Sequence, residues 1–180
     1  MIWRDDPASV RPMLASTADA PLQSAELAYE PKYDGIRAIA SVPGPSHPPR
    51  LWSRLGNEKT AQFPEIARAL QQAPGTFGRP VLLDGEIVAL DARGEPVGFQ
   101  GLQGRIHLKA PVGPDASAQV AFIVFDILRD DREDLRPLPL RDRRTRLERL
   151  FARVDDPRLR LSEQVTGDGR AMFERAQRHG

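Results

Sequence analysis

The sequence predicts an α+β fold, antiparallel β-sheets flanked by helices, from three features. Strand-like runs at residues 36–42 and 50–54 are joined by Pro43-Gly44-Pro45-Ser46-His47-Pro48-Pro49, whose four prolines remove ladder donors and fix the backbone, so the two runs should return on each other. The most apolar run, residues 120–128, reads as a central strand. Helical periodicity is confined to other stretches, notably residues 64–72 and 140–154. With 180 residues and 40% hydrophobic content, the chain suits one domain with a sizeable core.

Residues 1–20 are mixed and punctuated by proline; within them Arg11-Pro12-Met13-Leu14-Ala15 can act as a strap that packs Met13 and Leu14 on the core. Next, Leu27, Tyr29, Pro31 and Tyr33 alternate with Ala28, Glu30, Lys32 and Asp34, so Glu30, Lys32 and Asp34 are expected on one face of a strand before Gly35 permits a turn. That face is either a solvated strand end or a chemical site. Pro64 suits the first position of a helix whose apolar face is Ile66, Ala69 and Leu70.

Residues 80–91 hold two apolar runs interrupted by Asp84-Gly85-Glu86. Asp-Gly is a strong turn dipeptide, so a hairpin is one reading. The other is a continuous strand, in which two carboxylates need compensation and the glycine marks a close approach. Residues 99–108 read as a helix weakened by Gly101 and Gly104, followed by a loop at 110–117. In residues 120–128 either Phe122 or Phe125 can face inward. The 140–154 helix carries Leu147, Leu150, Phe151 and Val154 on one face, with Arg143, Arg144, Arg146 and Arg149 around the rest, as a solvated outer helix or a DNA-facing one. A short strand at 159–162 and a last helix at 169–179 complete the reading.

Charge and composition narrow the chemistry. Only three of the 26 basic residues are lysines: Lys32, Lys59 and Lys109. Arginine stays protonated, whereas lysine can become a nucleophile, so a lysine kept in so arginine-rich a chain is a candidate reactive amine. The net charge of +1 divides into 12 basic and 14 acidic residues up to Leu128, and 14 and 11 beyond it. Any nucleic-acid contact must therefore come from placed arginines rather than a polybasic tail. With no cysteine there is no disulfide, thiolate catalyst or cysteine zinc site, as suits a cytosolic protein. Residues 1–6 lack a signal peptide's apolar run, and no stretch is long enough to span a membrane. Glu58-Lys59-Thr60 lacks the Gly-rich lead of a P-loop, Gly98, Gly101 and Gly104 lack Rossmann spacing, and His107 has no histidine or cysteine close by to share a metal.

Lys32-Tyr33-Asp34-Gly35-Ile36-Arg37 matches the Lys-x-Asp-Gly-x-Arg signature, and the chain resembles the covalent nucleotidyltransferases: ATP-dependent DNA ligases, RNA ligases and mRNA capping enzymes. Ser53-Arg54-x-Gly56 with Thr60, then Asp84-Gly85-Glu86, then Phe125-Asp126-Ile127-Leu128 resemble the later ligase motifs in family order, and the Arg11 phrase is similar to the entry segment of ligase D-type enzymes.

The resemblance implies the DNA ligase/mRNA capping enzyme nucleotidyltransferase (ATP-grasp-like) fold, and an adenylation domain that uses ATP with Mg2+ or Mn2+ to repair nicked or broken duplex DNA. By the same resemblance Lys32 takes AMP on its amine, Glu30, Arg37, Glu86 and Phe125 hold the nucleotide, Glu86 and Asp34 serve the metal, and Arg54 and Ser53 meet DNA. Family members continue with a Glu-Gly motif, a Lys-x-Lys motif and an OB-fold domain. No lysine follows Lys109 and no Glu-Gly pair follows Leu128. The expectation is therefore an adenylation domain over 1–180, incomplete at its C-terminus and without the OB domain: either a naturally abbreviated protein, for which a second polypeptide or repair factor is a candidate to complete the domain, or a fragment of a longer one. The alternative is a catalytically incomplete ligase-fold module that binds DNA or partners.

Overall fold

A computed structural model describes residues 6–73, 77–106 and 119–179. In chain order the elements are β1 (Gln23–Tyr29), β2 (Ile36–Val42), β3 (Arg50–Ser53), α1 (Pro64–Gln72), β4 (Val81–Leu90), β5 (Pro96–Val97), α2 (Gln103–Ile106), β6 (Gln119–Asp130), β7 (Glu133–Asp134), α3 (Leu140–Phe151), β8 (Leu159–Leu161), β9 (Val165–Asp168) and α4 (Arg170–His179). They form two compact units: residues 34–161 with the N-terminal segment up to Pro12, and residues 13–33 with 162–180.

The first unit is built on a sheet ordered β3-β2-β4-β6-β7, with β5 on β4 and β8 beside β6. Every pairing is antiparallel except β6 with β8. Strand alternation gives the sheet two unlike faces. On one, Ala38, Ala40, Leu83, Ile87, Phe122 and Val124 join Ile66 and Leu70 of α1 and Leu147 and Phe151 of α3 in the main core. The other face carries a small cluster of Val10, Ile39, Leu82 and Leu128 with Trp52 against it. Beside that cluster stand Arg37, Asp84 and Glu86, each two residues along its strand from Ile39 or Leu82 or from the other.

Asp84-Gly85-Glu86 is not a hairpin. It lies inside the ten-residue strand β4, and a β-carbon on Gly85 would come within 2.6 Å of the Phe122 ring and 2.5 Å of the Ile123 carbonyl. The close approach is by the core itself, and it assigns Phe122 inward and fully buried while Phe125 remains partly exposed.

The strand expected through Lys32 ends earlier, at Tyr29, and residues 30–35 are irregular. Pro31 offers no N–H to a ladder, and β1 pairs with β9 only as far as Tyr29 opposite Val165. The 140–154 helix stops at Phe151, and the 99–108 helix appears as a 3-10 turn, Phe99–Leu102, followed by α2. His107, Lys109 and the 110–117 loop lie outside the described residues.

In the second unit β1 and β9 form an antiparallel ribbon followed by α4. The Tyr29 ring covers Gly169, where a β-carbon would approach to 2.5 Å, and its hydroxyl donates to the Pro21 carbonyl at 2.7 Å.

Candidate nucleotide-handling site

The β2:β4 register sets Arg37 opposite Glu86 and Ile39 opposite Asp84. The Arg37 guanidinium nevertheless reaches the diagonal neighbour: Nε donates to Asp84 Oδ1 at 2.6 Å and Nη2 to Oδ2 at 2.8 Å. Two parallel bonds in fork geometry are the strong form of this contact. The Asp84 side chain is only 4% exposed, so the arginine supplies the countercharge that burial demands. Burial still holds the Asp84 carboxyl above the ordinary range, against the pull of Arg37. On its other side the guanidinium carbon sits 4.5 Å from the centroid of the Phe125 ring, a cation–π contact.

Glu86 is pushed up to about 7. Burial is the main cause, partly offset by the Arg37 charge and the Gly35 backbone N–H, while Asp84 and Asp34 add repulsion. A β-carbon on Gly35 would lie 2.2 Å from the Ile87 carbonyl, so only glycine brings that backbone so close to β4. Asp34 is anchored nearby, its Oδ2 accepting from the Phe99 N–H at 3.0 Å.

Phe125 reaches this face because the β4:β6 register shifts there: Asp84 opposes Asp126, Gly85 opposes Val124, and Phe125 has no partner. The two opposed carboxylates have separate guanidinium partners. Arg143 of α3 donates to Asp126 at 2.8 and 2.7 Å and to the Leu138 carbonyl at 2.6 Å, with both side chains largely buried. Arg146 pairs with Glu133 and Arg144 with Glu148, so these arginines of the expected outer helix are tied down by ion pairs.

Ser53 pairs with Ala38, which places the following Arg54 at the Arg37 end of β2. Ser53 Oγ accepts from the Asn57 N–H at 3.2 Å, closing a turn with Gly56 at φ +81° and leaving Arg54 exposed. Of the residues singled out in the sequence, the first unit therefore gathers Asp34, Arg37, Glu86 and Phe125, with Ser53 and Arg54 at the same end of the sheet. Glu30 and Lys32 belong to the second unit; Gln164 donates to Glu30 at 2.6 Å, and Lys32 is exposed in the irregular segment after β1.

Sequence reasoning gave no role to Asp84, Asp126 or Arg143. The available signal was electrostatic: a carboxylate in an apolar strand requires a cation from an adjoining element.

Among the described residues no group of three or more histidines, cysteines or carboxylates converges as a metal cage. Glu86, with Asp34 raising its proton affinity from nearby, is a smaller acidic donor set. That set fits Mg2+, which commonly takes one or two carboxylates and completes its shell with phosphate oxygens and water.

A curled antiparallel sheet with this charged face is the nucleotidyltransferase fold of the ligase class. The chain belongs to the ATP-dependent DNA ligase domain family, whose model matches residues 12–178. It is 37% identical over 146 residues to a probable DNA ligase of Streptomyces coelicolor, covering 78% of this chain and 28% of that protein. It is 34% identical over 170 residues to the multifunctional non-homologous end joining protein LigD of Pseudomonas aeruginosa, covering 94% and 19%. The solved ligase domain of Mycobacterium tuberculosis LigD superposes with a TM-score of 0.77 at 31% identity, over 98% of this chain and 53% of that one. A mycobacterial DNA ligase D solved with ATP and MES gives 0.75 at 30% identity, with the same coverage. The chain thus spans about half of the solved ligase domains and under a third of these two curated relatives.

Proposed function

We propose that this chain carries the adenylation chemistry of an ATP-dependent DNA ligase acting in DNA repair. The observation that supports it most is that Arg37, Glu86 and Phe125, from three motifs far apart in sequence, meet on one face of one sheet. Lys32 is the nucleophile.

In this reading the neutral Lys32 amine attacks the α-phosphorus of ATP; a phosphorus–nitrogen bond forms, the bond to the bridging oxygen breaks, and pyrophosphate leaves. Phe125 offers an aromatic face to the base, while Arg37 and Glu30 hold the nucleoside. Glu86 and Asp34 hold a divalent cation, Mg2+ or Mn2+, which when bound offsets charge on the triphosphate. AMP then passes to a DNA 5'-phosphate gripped by Arg54 and Ser53, and the 3'-hydroxyl displaces it to seal the strand. Nicked or broken duplex DNA is the partner.

The test has two arms. With α-labelled ATP and Mg2+ or Mn2+, label should remain on the denatured chain. A pre-adenylated nick then asks for sealing, which should be weak for this chain alone and rise with the remainder of a related ligase added in trans. A folded chain that takes no label under any metal tested contradicts the enzyme reading.

A further inference from the structure

Phe125 faces Arg37 because the strand is interrupted there, and an unpaired residue in a ladder keeps its place only where something else fixes it. The fixing group is the next residue. Asp126 accepts two bonds from Arg143 and one from the Ile127 N–H at 2.8 Å, while Arg143 is itself tethered to the Leu138 carbonyl. Asp126 also acts electrostatically on Arg37, and it opposes Asp84 across the ladder. Two carboxylates and two guanidiniums are thus paired off, Arg37 with Asp84 and Arg143 with Asp126.

Without Arg143 the largely buried Asp126 carboxylate would lack its guanidinium, and Arg37 would be the cation at hand. Drawing Arg37 toward Asp126 would loosen its fork on Asp84 and move it from the Phe125 ring.

We infer that Arg143 is a positioning residue for nucleotide binding: by occupying Asp126 from α3 it keeps Arg37 on Asp84 and holds Phe125 at the angle that presents its ring. The role rests on the adenylation reading, and it acts through Asp126, which takes both carboxylate bonds of the Arg143 guanidinium. It differs from a stability role because the damage falls on nucleotide affinity more than on turnover.

The experiment measures formation of the labelled adduct against ATP concentration for the full chain, for Arg143→Met, Arg143→Lys and Arg143→Met/Asp126→Asn, with a thermal melt of each. Arg143→Met should raise the KM for ATP about tenfold or more with kcat changed far less, because the groups it displaces, Arg37 and the Phe125 ring, are assigned to holding the nucleotide and not to the reacting phosphorus. Arg143→Lys, a point charge without the fork, should fall between. Arg143→Met/Asp126→Asn should return most of the lost affinity, because the neutral amide no longer competes for Arg37. An unchanged KM in Arg143→Met, or a fall in kcat alone, overturns the inference. If Arg143→Met does not fold, the comparison of Arg143→Lys with wild type decides in the same way. Failure of the wild-type chain to take label is the separate outcome that removes the adenylation reading beneath it.

Discussion

Arg37 stands directly across the ladder from Glu86 yet gives its guanidinium to Asp84, the diagonal neighbour, at 2.6 and 2.8 Å. The choice follows burial. Asp84 is enclosed and needs a countercharge, whereas Glu86 is partly exposed and rises to about 7 instead. One carboxylate becomes part of the frame, and the other is left able to exchange a proton or accept a cation.

Arg37→Met should lower the stability of the chain by about 3 kcal/mol, because it leaves the Asp84 charge buried and uncompensated. Arg37→Met/Asp84→Leu should recover most of that, since removing both partners removes the penalty. Chemical denaturation at pH 7.5 provides the measurement, and equal losses in the single and double variants would show that the pair is not the cause.

Glu86 makes stability depend on pH in a definite direction. Below about 4.5 the carboxyl is neutral whether the chain is folded or not; between there and about 7 the unfolded chain releases the proton while the folded one retains it, so stability falls as pH rises. Glu86→Gln should match wild type near pH 4.5 and exceed it by about 1–2 kcal/mol at pH 8, a figure reduced for solvent screening. Denaturation midpoints across pH 4.5–8, without nucleotide or metal, test this; a difference independent of pH would contradict it.

Gly85→Ala should cost about 2–3 kcal/mol, because the added methyl meets the Phe122 ring and the Ile123 carbonyl inside a packed core. Gly104→Ala, where nothing lies within 4 Å of the new β-carbon, serves as the control and should be neutral or slightly stabilising. Thermal melts of the two variants decide the matter.

Arg54→Ala should leave the melt and the adduct-forming step unchanged while weakening binding to nicked duplex about equally across sequences. The salt dependence of that binding should lose about one unit of slope, as for removal of one phosphate contact. A preserved slope would move the DNA contact elsewhere.

Strand β2 and helix α1 were legible to the residue because proline brackets them: Pro43 ends one, and Pro64 begins the other. Residues 120–128 were legible as a strand, but not the register shift that frees Phe125, because a bulge is set by the partner strand rather than by local pattern. The hairpin or strand choice at Asp84-Gly85-Glu86 turned on Phe122, thirty-seven residues away, whose ring needs the space beside Gly85. Glu86, Arg37 and Phe125, singled out by motif, lie on one face of the sheet. The need of Asp84 for compensation could be read from its place in an apolar strand, but its Arg37 partner and the Asp126–Arg143 pair escaped because ion pairs between distant elements leave no periodic trace.

The central claim is that Lys32 bears AMP. With only Lys32, Lys59 and Lys109 available as amine side chains, peptide mapping of the chain after incubation with ATP and Mg2+ is unusually decisive. The expected result is one AMP on the peptide containing Lys32, lost in acid as a phosphorus–nitrogen bond should be, and absent from Lys32→Ala. AMP found on Lys59 or Lys109, or persisting in Lys32→Ala, would contradict it.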